Sequence, residues 1–288
     1  MEYQWFPGHM QKAKGQITAA LSRVDVVVEL ADARIPLSSR NPELRELIRN
    51  KKLVLVLNKA DLADENKSIK WKQYYKENGI IAVFMNSKIR DRSSVKILLD
   101  AIRTAGREKV EKEKKKGILN PKINIMVIGV PNVGKSTFIN SLAGKVSART
   151  GNKPGVTVKQ QWICVDGGID LLDTPGVFPR KFKSNMQGLL CAAVGSISDE
   201  IIDKYDIAGT LCEIIIKKYP GRLNEKYAIE ETINNESVSG RQAIEEIAKK
   251  RMYMLPGGKY DLEKSANLLI DNFRNAAIGR MTFEEPEF

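Results

Sequence analysis

Hydrophobic runs of two kinds alternate along the first 180 residues of the chain. Short β-branched or leucine-rich runs predict buried strands, whereas apolar residues three to four positions apart predict helices. Strands that alternate with helices are typical of an α/β fold. The predicted strands are residues 24–30, 53–57, 80–85, 125–128, 161–165 and 169–172, and the predicted helices between them are residues 11–23, 42–49, 66–77 and 93–116.

After residue 180 the pattern contains helical spacing only. Apolar residues recur every three or four positions in three segments, and Pro-Gly pairs separate them. We therefore divide the chain into an α/β domain, residues 1–180, and a wholly helical domain, residues 181–288. The stripes are Ile207, Leu211 and Ile214, then Ile244, Ile247 and Ala248, then Leu262, Ala266, Leu269, Ile270 and Phe273.

Composition adds a charge asymmetry to this division. The 288 residues carry a formal net charge of +12 and are 42% hydrophobic, which allows two globular domains. Residues 1–180 hold 32 Lys and Arg against 18 Asp and Glu, whereas residues 181–288 hold 15 against 17. A basic surplus of this size predicts a polyanionic partner, with nucleic acid favoured over a membrane. The alternative is that the charge serves solubility alone.

The three cysteines are too few and too scattered for a disulfide framework or a zinc site. No secretory signal is visible, and no apolar run approaches the roughly 18 residues that span a bilayer. We predict a soluble, cytoplasmic and monomeric protein with no membrane partner.

A glycine-containing loop, residues 129–136, lies between a predicted strand and a predicted helix. In that context consecutive backbone N–H groups and the helix N-terminus converge on an oligophosphate. Lys135 is predicted to reach the β- and γ-phosphates, and the Ser136 hydroxyl to hold Mg²⁺. The alternative is a glycine-rich turn that matches by accident. The residues assigned to the phosphates are Asn132, Val133, Gly134, Lys135, Ser136 and Thr137.

A guanine-binding motif follows the strand predicted at residues 53–57. Guanine presents N–H donors at N1 and N2, which the Asp61 carboxylate can accept together, while Asn58 can bond the N7 and O6 side. The Lys59 stem is expected to pack near the loop or the base. Adenine would leave buried polar groups unpaired and is predicted to be rejected.

Further motif residues lie at the ends of other predicted elements. Asp173 follows the strand predicted at 169–172 and is expected to approach Mg²⁺ through water, and the Gly176 N–H is expected to sense a γ-phosphate. Thr157 lies in a polar, basic segment. Asn86, Ser87 and Lys88 follow the strand predicted at 80–85.

Together these motifs resemble a translation-factor-type GTPase in which the order of the motifs is changed. The guanine motif precedes the phosphate loop, which is the order of the circularly permuted GTPases. The sequences at residues 5–10 and 32–36 make the chain similar to the ribosome biogenesis GTPase A family. The resemblance implies a mostly parallel six-stranded sheet, Thr157 as the Mg²⁺-binding threonine of the first switch, and Asn86, Ser87 and Lys88 as support for the guanine O6.

The same resemblance implies a function and partners. A member of this family would bind GTP or GDP with Mg²⁺, hydrolyse GTP under stimulation by the large ribosomal subunit, and contact that subunit and its rRNA during assembly. The alternatives left open are a GTP-dependent RNA-binding switch in which hydrolysis is incidental, and a GTPase that serves another RNA.

Permutation also bears on catalysis. The residues after Gly176 are Val177, Phe178 and Pro179, none of which can orient water as glutamine does in Ras-like enzymes. The cut places the helix predicted at residues 11–23 where a switch-two helix would lie, so His9 is expected beside the γ-phosphate. The resemblance implies that His9 takes the catalytic role. The alternative is that His9 only caps the helix.

Three weaker assignments complete the sequence analysis. Asn132 matches a position that helps to bind K⁺ in related GTPases. Arg34 and Arg40 are candidates for internal arginine fingers, although a solvated loop is the alternative for both. A phosphate-contacting face is predicted from Lys249, Lys250, Arg251, Lys259, Arg274 and Arg280.

Overall fold

The computed structural model describes residues 8–89, 91–143, 162–165, 168–200, 202–233 and 236–288. Strands and helices alternate up to residue 180, and helices dominate from residue 185 onward. The first part of the chain contains β1 (Val26–Asp32), β2 (Lys52–Asn58), β3 (Ile81–Met85), β4 (Ile123–Gly129), β5 (Trp162–Cys164) and β6 (Ile169–Leu172), with α1 (Gly8–Ala20), α2 (Pro42–Leu47), α3 (Glu65–Glu77), α4 (Arg92–Lys115) and α5 (Lys135–Ala143).

The six strands form one sheet in the order β3-β2-β1-β4-β6-β5. All neighbouring pairs are parallel except β5 with β6. The mostly parallel six-stranded sheet expected from the sequence is therefore confirmed. Because Asp32 pairs with Asn58 and Leu30 pairs with Gly129, the carboxyl ends of β1, β2 and β4 meet at one edge of the sheet. This edge is where ligands of α/β proteins bind.

Helices cover both faces of the sheet, and polar caps fix where they begin. The Asn41 side chain accepts hydrogen bonds from the backbone of Glu43 and Leu44, and Pro42 occupies the first turn of α2. In α1 the residues Met10, Ala13, Ile17 and Ala20, three or four positions apart, are all buried.

The helical region, residues 185–274, packs its apolar stripes into one core that continues into that of the sheet. It contains α6 (Asn185–Ala193), α7 (Lys204–Lys218), α8 (Arg222–Tyr227), α9 (Gly240–Lys250) and α10 (Leu262–Arg274), with β7 (Thr232–Ile233) and β8 (Glu236–Ser237) between α8 and α9. The wholly helical prediction is thus wrong at one hairpin, because two-residue strands carry too short a pattern to be recognised.

Glycine permits the close crossing of α7 and α9. A Cβ atom added to Gly240 would lie 2.0 Å from the backbone oxygen of Gly209, a distance that no side chain tolerates.

None of the helices in the described ranges has the length and apolar character needed to cross a membrane.

The segment after α10 returns to the sheet region, residues 8–180. The Met281 N–H donates to the Leu62 carbonyl at 3.1 Å, and the Phe283 N–H donates to the Arg34 carbonyl at 2.9 Å. The Trp71 indole N–H donates to the Glu284 carbonyl at 3.1 Å. We call residues 279–288 the returning tail. It joins the helical region to the loops that follow β1 and β2.

Candidate nucleotide-binding site

The phosphate loop connects β4 to α5 and has a backbone that favours glycine at one position. Gly134 has a φ of +100°, and a Cβ atom there would lie 2.4 Å from the Asn58 amide nitrogen. Lys135 is 8% exposed, and its ammonium donates to the carbonyls of Gly129 at 3.1 Å and Val130 at 2.8 Å. Burial lowers the pKa of Lys135 to about 8, although the charge of Asp173 opposes that shift. An oligophosphate beside this ammonium would favour its charged form.

Asn58, at the end of β2, joins the guanine motif to two other loops. Its amide nitrogen donates to the Val133 carbonyl at 2.9 Å, and its amide oxygen accepts from the Ser87 N–H at 3.1 Å. The nitrogen of a primary amide carries two hydrogens, so one of them is still suited to a base acceptor. Ser87 Oγ is buried without a hydrogen-bond partner among the described residues.

Lys59 and Asp61 continue the guanine motif. Lys59 has a left-handed backbone, and its ammonium lies 3.1 Å from the Asn132 carbonyl and 3.0 Å from the Asp32 carboxylate. Burial lowers the pKa of Lys59, and the Asp32 charge opposes this effect. Asp61 lies in a turn of 3₁₀-helix, Ala60–Leu62, and its exposed side chain lines a cavity of about 700 Å³ together with Asn86 and Lys88.

Two of the predicted magnesium residues, Ser136 and Asp173, follow the neighbouring strands β4 and β6. Asp173 follows β6 and is 2% exposed, and Ser136 lies in the first turn of α5. A hydroxyl and a carboxylate are the hard oxygen ligands that Mg²⁺ prefers, so these residues fit the ion. No cluster of three His, Cys, Asp or Glu side chains that could hold a metal ion occurs in the described part of the chain.

Gly176 packs directly on the phosphate loop. A Cβ atom there would lie 2.8 Å from the Lys135 ammonium and 2.8 Å from the backbone of Pro131. The next residue, Val177, donates its N–H to the Gly129 carbonyl at 3.2 Å. The end of the Asp173 motif is therefore in contact with the loop assigned to the phosphates.

Two predicted residues lie at the limit of the described structure. The backbone of His9 belongs to the first turn of α1, but its side chain lies outside the described residues, as does all of Thr157. Gln11 in the same turn accepts a hydrogen bond from the Arg180 guanidinium at 2.9 Å. The first turn of α1 is thus next to the segment that follows Gly176.

Arg34 and Arg40 are neither fingers nor members of a solvated loop, which corrects both interpretations. Arg34 is 1% exposed and donates to both carboxylate oxygens of Asp32, at 2.9 and 2.8 Å. Arg40 is 5% exposed and donates through Nε to the Glu29 carboxylate at 3.0 Å. Both guanidinium groups are occupied by buried ion pairs.

The helical region also reaches the site, which the sequence does not predict. The Asn132 amide nitrogen donates to the Gly195 carbonyl at 3.0 Å. Arg274 lines the same cavity as Asp61 and forms an ion pair with Asp199 at 2.8 Å. In the returning tail, Arg280 donates to the Ala63 carbonyl at 2.7 Å.

These contacts correct the predicted phosphate-contacting face. Arg274 lines the nucleotide cavity, and Arg280 donates to a carbonyl of the sheet region. Lys249, Lys250, Arg251 and Lys259 are exposed, and Arg280 is exposed as well. No signal in the sequence distinguishes the two groups, because the difference depends on how the helical region is placed against the sheet.

Comparison with known proteins agrees with this arrangement. The sequence profile of a family described as "50S ribosome-binding GTPase" matches residues 124–207. The chain is 43% identical to "Ribosome biogenesis GTPase A" of Bacillus cereus over 100% of its own length and 95% of the relative, and 32% identical to the protein of that name from Thermotoga maritima over 98% and 94%. The solved structure described as GNP-bound YlqF from T. maritima superposes with a TM-score of 0.67 at 28% identity, covering 96% of this chain and 99% of that one.

Proposed function

Because the chain belongs to the ribosome biogenesis GTPase A family, and is therefore a GTPase, we propose that it is a GTP-hydrolysing assembly factor that binds the maturing large ribosomal subunit in the cytoplasm and leaves it on hydrolysis. The particle stimulates that hydrolysis. One observation supports the coupling between nucleotide and partner: Gly176 contacts the phosphate loop, and α6 of the helical region begins only nine residues later, at Asn185.

The segment between Gly176 and α6 makes two contacts with the beginning of α2. The Val177 carbonyl accepts a hydrogen bond from the Asn41 amide at 3.0 Å. The backbone N–H of Arg180 donates to the Glu43 carboxylate at 2.6 Å. Loss of a γ-phosphate would release Gly176 and weaken these contacts, and the strain would pass to α6. The domains 1–180 and 181–288 would then move relative to each other.

Within this proposal the nucleotide lies along the carboxyl edge of the sheet. Asn58 and Asp61 bind the guanine, Ser87 and Lys88 support its O6 side, and the phosphate loop holds the phosphates. Ser136, Thr157 and Asp173 would hold Mg²⁺, which supplies positive charge beside the β- and γ-phosphates when it is bound. A K⁺ ion at Asn132 stays a prediction. The amide nitrogen of that residue donates to the Gly195 carbonyl.

The exposed cations of α9 and the turn that follows it are the proposed rRNA contacts. Lys249 and Lys250 end α9, Arg251 follows them, and Lys259 lies beyond. Phosphate contacts of this kind position a protein on RNA without reading its sequence.

Measuring GTP hydrolysis with and without purified large subunits tests the function. We expect the subunits to raise kcat by at least about tenfold, because a GTPase that lacks an internal glutamine needs its partner to complete the site. Small subunits serve as the control particle. Binding of the large subunit without any increase in kcat would favour the alternative, a GTP-dependent RNA-binding switch, over the assembly enzyme.

The His9→Ala variant tests the catalytic assignment. We expect its subunit-stimulated kcat to fall by about 100-fold, the contribution typical of a general base, while GDP affinity stays the same. Thr18→Ala changes an exposed residue of the same helix and is the matched control. If stimulated hydrolysis by the folded His9→Ala protein stays within threefold of the wild type, His9 only caps α1.

A further inference from the structure

The cavity assigned to the nucleotide has a second wall that the sheet does not provide. This space of about 700 Å³ is lined by Asn58, Asp61 and Ser87 of the sheet region, and also by residues from the segment 194–200 and the end of α10. A nucleoside in this cavity would be enclosed between the two regions of the chain. The second wall therefore belongs to the binding site.

Arg274 fixes the shape of this wall. Its guanidinium donates to the carbonyls of Ala192 at 2.9 Å and Ala193 at 3.1 Å, and to both carboxylate oxygens of Asp199. Gly195 has a φ of +80° and lies under the same guanidinium, so a side chain there would be strained and crowded. We call residues 192–199 the cavity turn. Four hydrogen bonds from one side chain give it a defined conformation.

The cavity turn is also fixed relative to the phosphate loop. The Asn132 amide nitrogen donates to the Gly195 carbonyl at 3.0 Å. The Arg34 guanidinium donates to the Val194 carbonyl at 3.4 Å and to the Arg274 carbonyl at 3.4 Å. The two walls of the cavity are thus connected by hydrogen bonds near the place assigned to the phosphates.

Asp61, Gly134 and Asp199 line the same cavity. A guanine on Asp61 and phosphates on the loop around Gly134 would therefore leave the sugar in this cavity, beside the second wall. The hydroxyls of a ribose are hydrogen-bond donors, and a carboxylate is their strongest neutral-pH acceptor in proteins.

Asp199 is the acceptor that the cavity turn offers. Hydrogen bonds from Arg274 lower the pKa of Asp199, so its carboxylate is ionised at neutral pH. Two carboxylate oxygens offer about four acceptor positions. One Arg274 N–H reaches each oxygen and the Lys204 ammonium lies 3.5 Å from one of them, which leaves an acceptor position available. The side chain is 38% exposed and lines the cavity.

We propose that Asp199 accepts a hydrogen bond from the ribose hydroxyls of a bound guanine nucleotide, so that the helical region forms part of the nucleotide site. This inference rests on the proposed placement of the nucleotide between Asp61 and the phosphate loop. It assigns to Asp199 a role in affinity and in recognition of the sugar.

Calorimetric titration with GDP and with 2′,3′-dideoxy-GDP tests the contact. The wild type is expected to bind the dideoxy nucleotide about tenfold more weakly, the effect of a lost hydrogen bond to a charged group. Asp199→Ala is expected to bind GDP about tenfold more weakly than the wild type and to bind both nucleotides within twofold of each other. Asp206→Ala removes an exposed carboxylate from the first turn of α7 and is expected to behave as the wild type.

Two results would overturn the contact. One is equal affinity of the wild type for GDP and the dideoxy nucleotide, and the other is a tenfold penalty that persists in Asp199→Ala. Failure of the underlying placement has a different signature, because Asp61→Ala would then bind GDP as tightly as the wild type.

Discussion

The Arg34→Ala variant is expected to have a free energy of unfolding about 3 kcal/mol below that of the wild type, because it removes one partner of a buried ion pair. Asp32 is fully buried and, among the described residues, would retain Lys59, at 3.0 Å, as its cationic partner. The variant also loses the packing of the Arg34 guanidinium over the Phe273 ring, at 5.2 Å, which joins the loop after β1 to α10. Urea unfolding followed by circular dichroism measures the change.

The pH dependence of this loss separates charge from packing. Burial alone would raise the pKa of Asp32, but the charges of Arg34 and Lys59 hold it well below its usual range. In the wild type this pair therefore stabilises the fold above about pH 4, and the contribution disappears as the pH falls further. The difference in free energy of unfolding between the wild type and Arg34→Ala should decrease between pH 5 and pH 3. A difference that is constant over this range would assign the loss to packing.

An exposed ion pair provides the matched control for Arg34→Ala. Arg49 lies 2.9 Å from Glu46, and both side chains are about 70% exposed. Arg49→Ala should change the free energy of unfolding by no more than about 0.5 kcal/mol, as exposed pairs do. If Arg34→Ala lowers the free energy of unfolding by no more than this, the buried pair of Arg34 and Asp32 does not stabilise the fold.

The Asp61→Asn variant is expected to bind GDP at least about 100-fold more weakly and to gain affinity for xanthosine diphosphate. A carboxylate accepts from both the N1 and the N2 donors of guanine, whereas an asparagine amide directs its own N–H donors at one of them. Xanthine has a carbonyl in place of the amino group, so an amide can donate to it. The turn that holds Asp61 is fixed by the Leu62 N–H, which donates to the Lys59 carbonyl at 3.0 Å.

Calorimetry with both diphosphates measures this exchange of specificity. Glu77→Gln makes the same chemical change at an exposed position of α3 and should leave both affinities unaltered. GDP affinity in Asp61→Asn within threefold of the wild type would show that the base lies elsewhere.

Local pattern predicted most of the sheet and the order of the motifs. The run at residues 125–128 lies inside β4, and the run at residues 53–57 lies inside β2, because fully buried parallel strands are continuous apolar runs. The strand expected at residues 24–30 extends instead over Val26–Asp32, since Asp32 is buried by its ion pair and continues the ladder.

The buried arginines show where such reasoning fails. Arg34 and Arg40 follow β1 in a loop, where charged side chains are usually solvated. Their carboxylate partners, Asp32 and Glu29, lie in β1 itself. A glutamate in the middle of an apolar run was the available signal, since a fully buried carboxylate requires a cation.

The second wall of the cavity could not be predicted from the sequence for another reason. The stripe that includes Leu269, Ile270 and Phe273 correctly predicts the buried face of α10. Arg274 lies immediately after that stripe, and its partner Asp199 is 75 residues away. Periodicity indicates which face of a helix is buried but does not indicate which distant turn contacts its end.

The returning tail has a consequence for the order in which the protein is completed during synthesis. Arg280 supports the turn around Asp61 through a carbonyl that is 217 residues distant in sequence, and Met281 adds a backbone hydrogen bond to Leu62. A ribosome has therefore translated every nucleotide motif long before it translates the residues that support the guanine loop. The nascent chain therefore acquires these two supports of the guanine loop only after residues 279–288 have been synthesised.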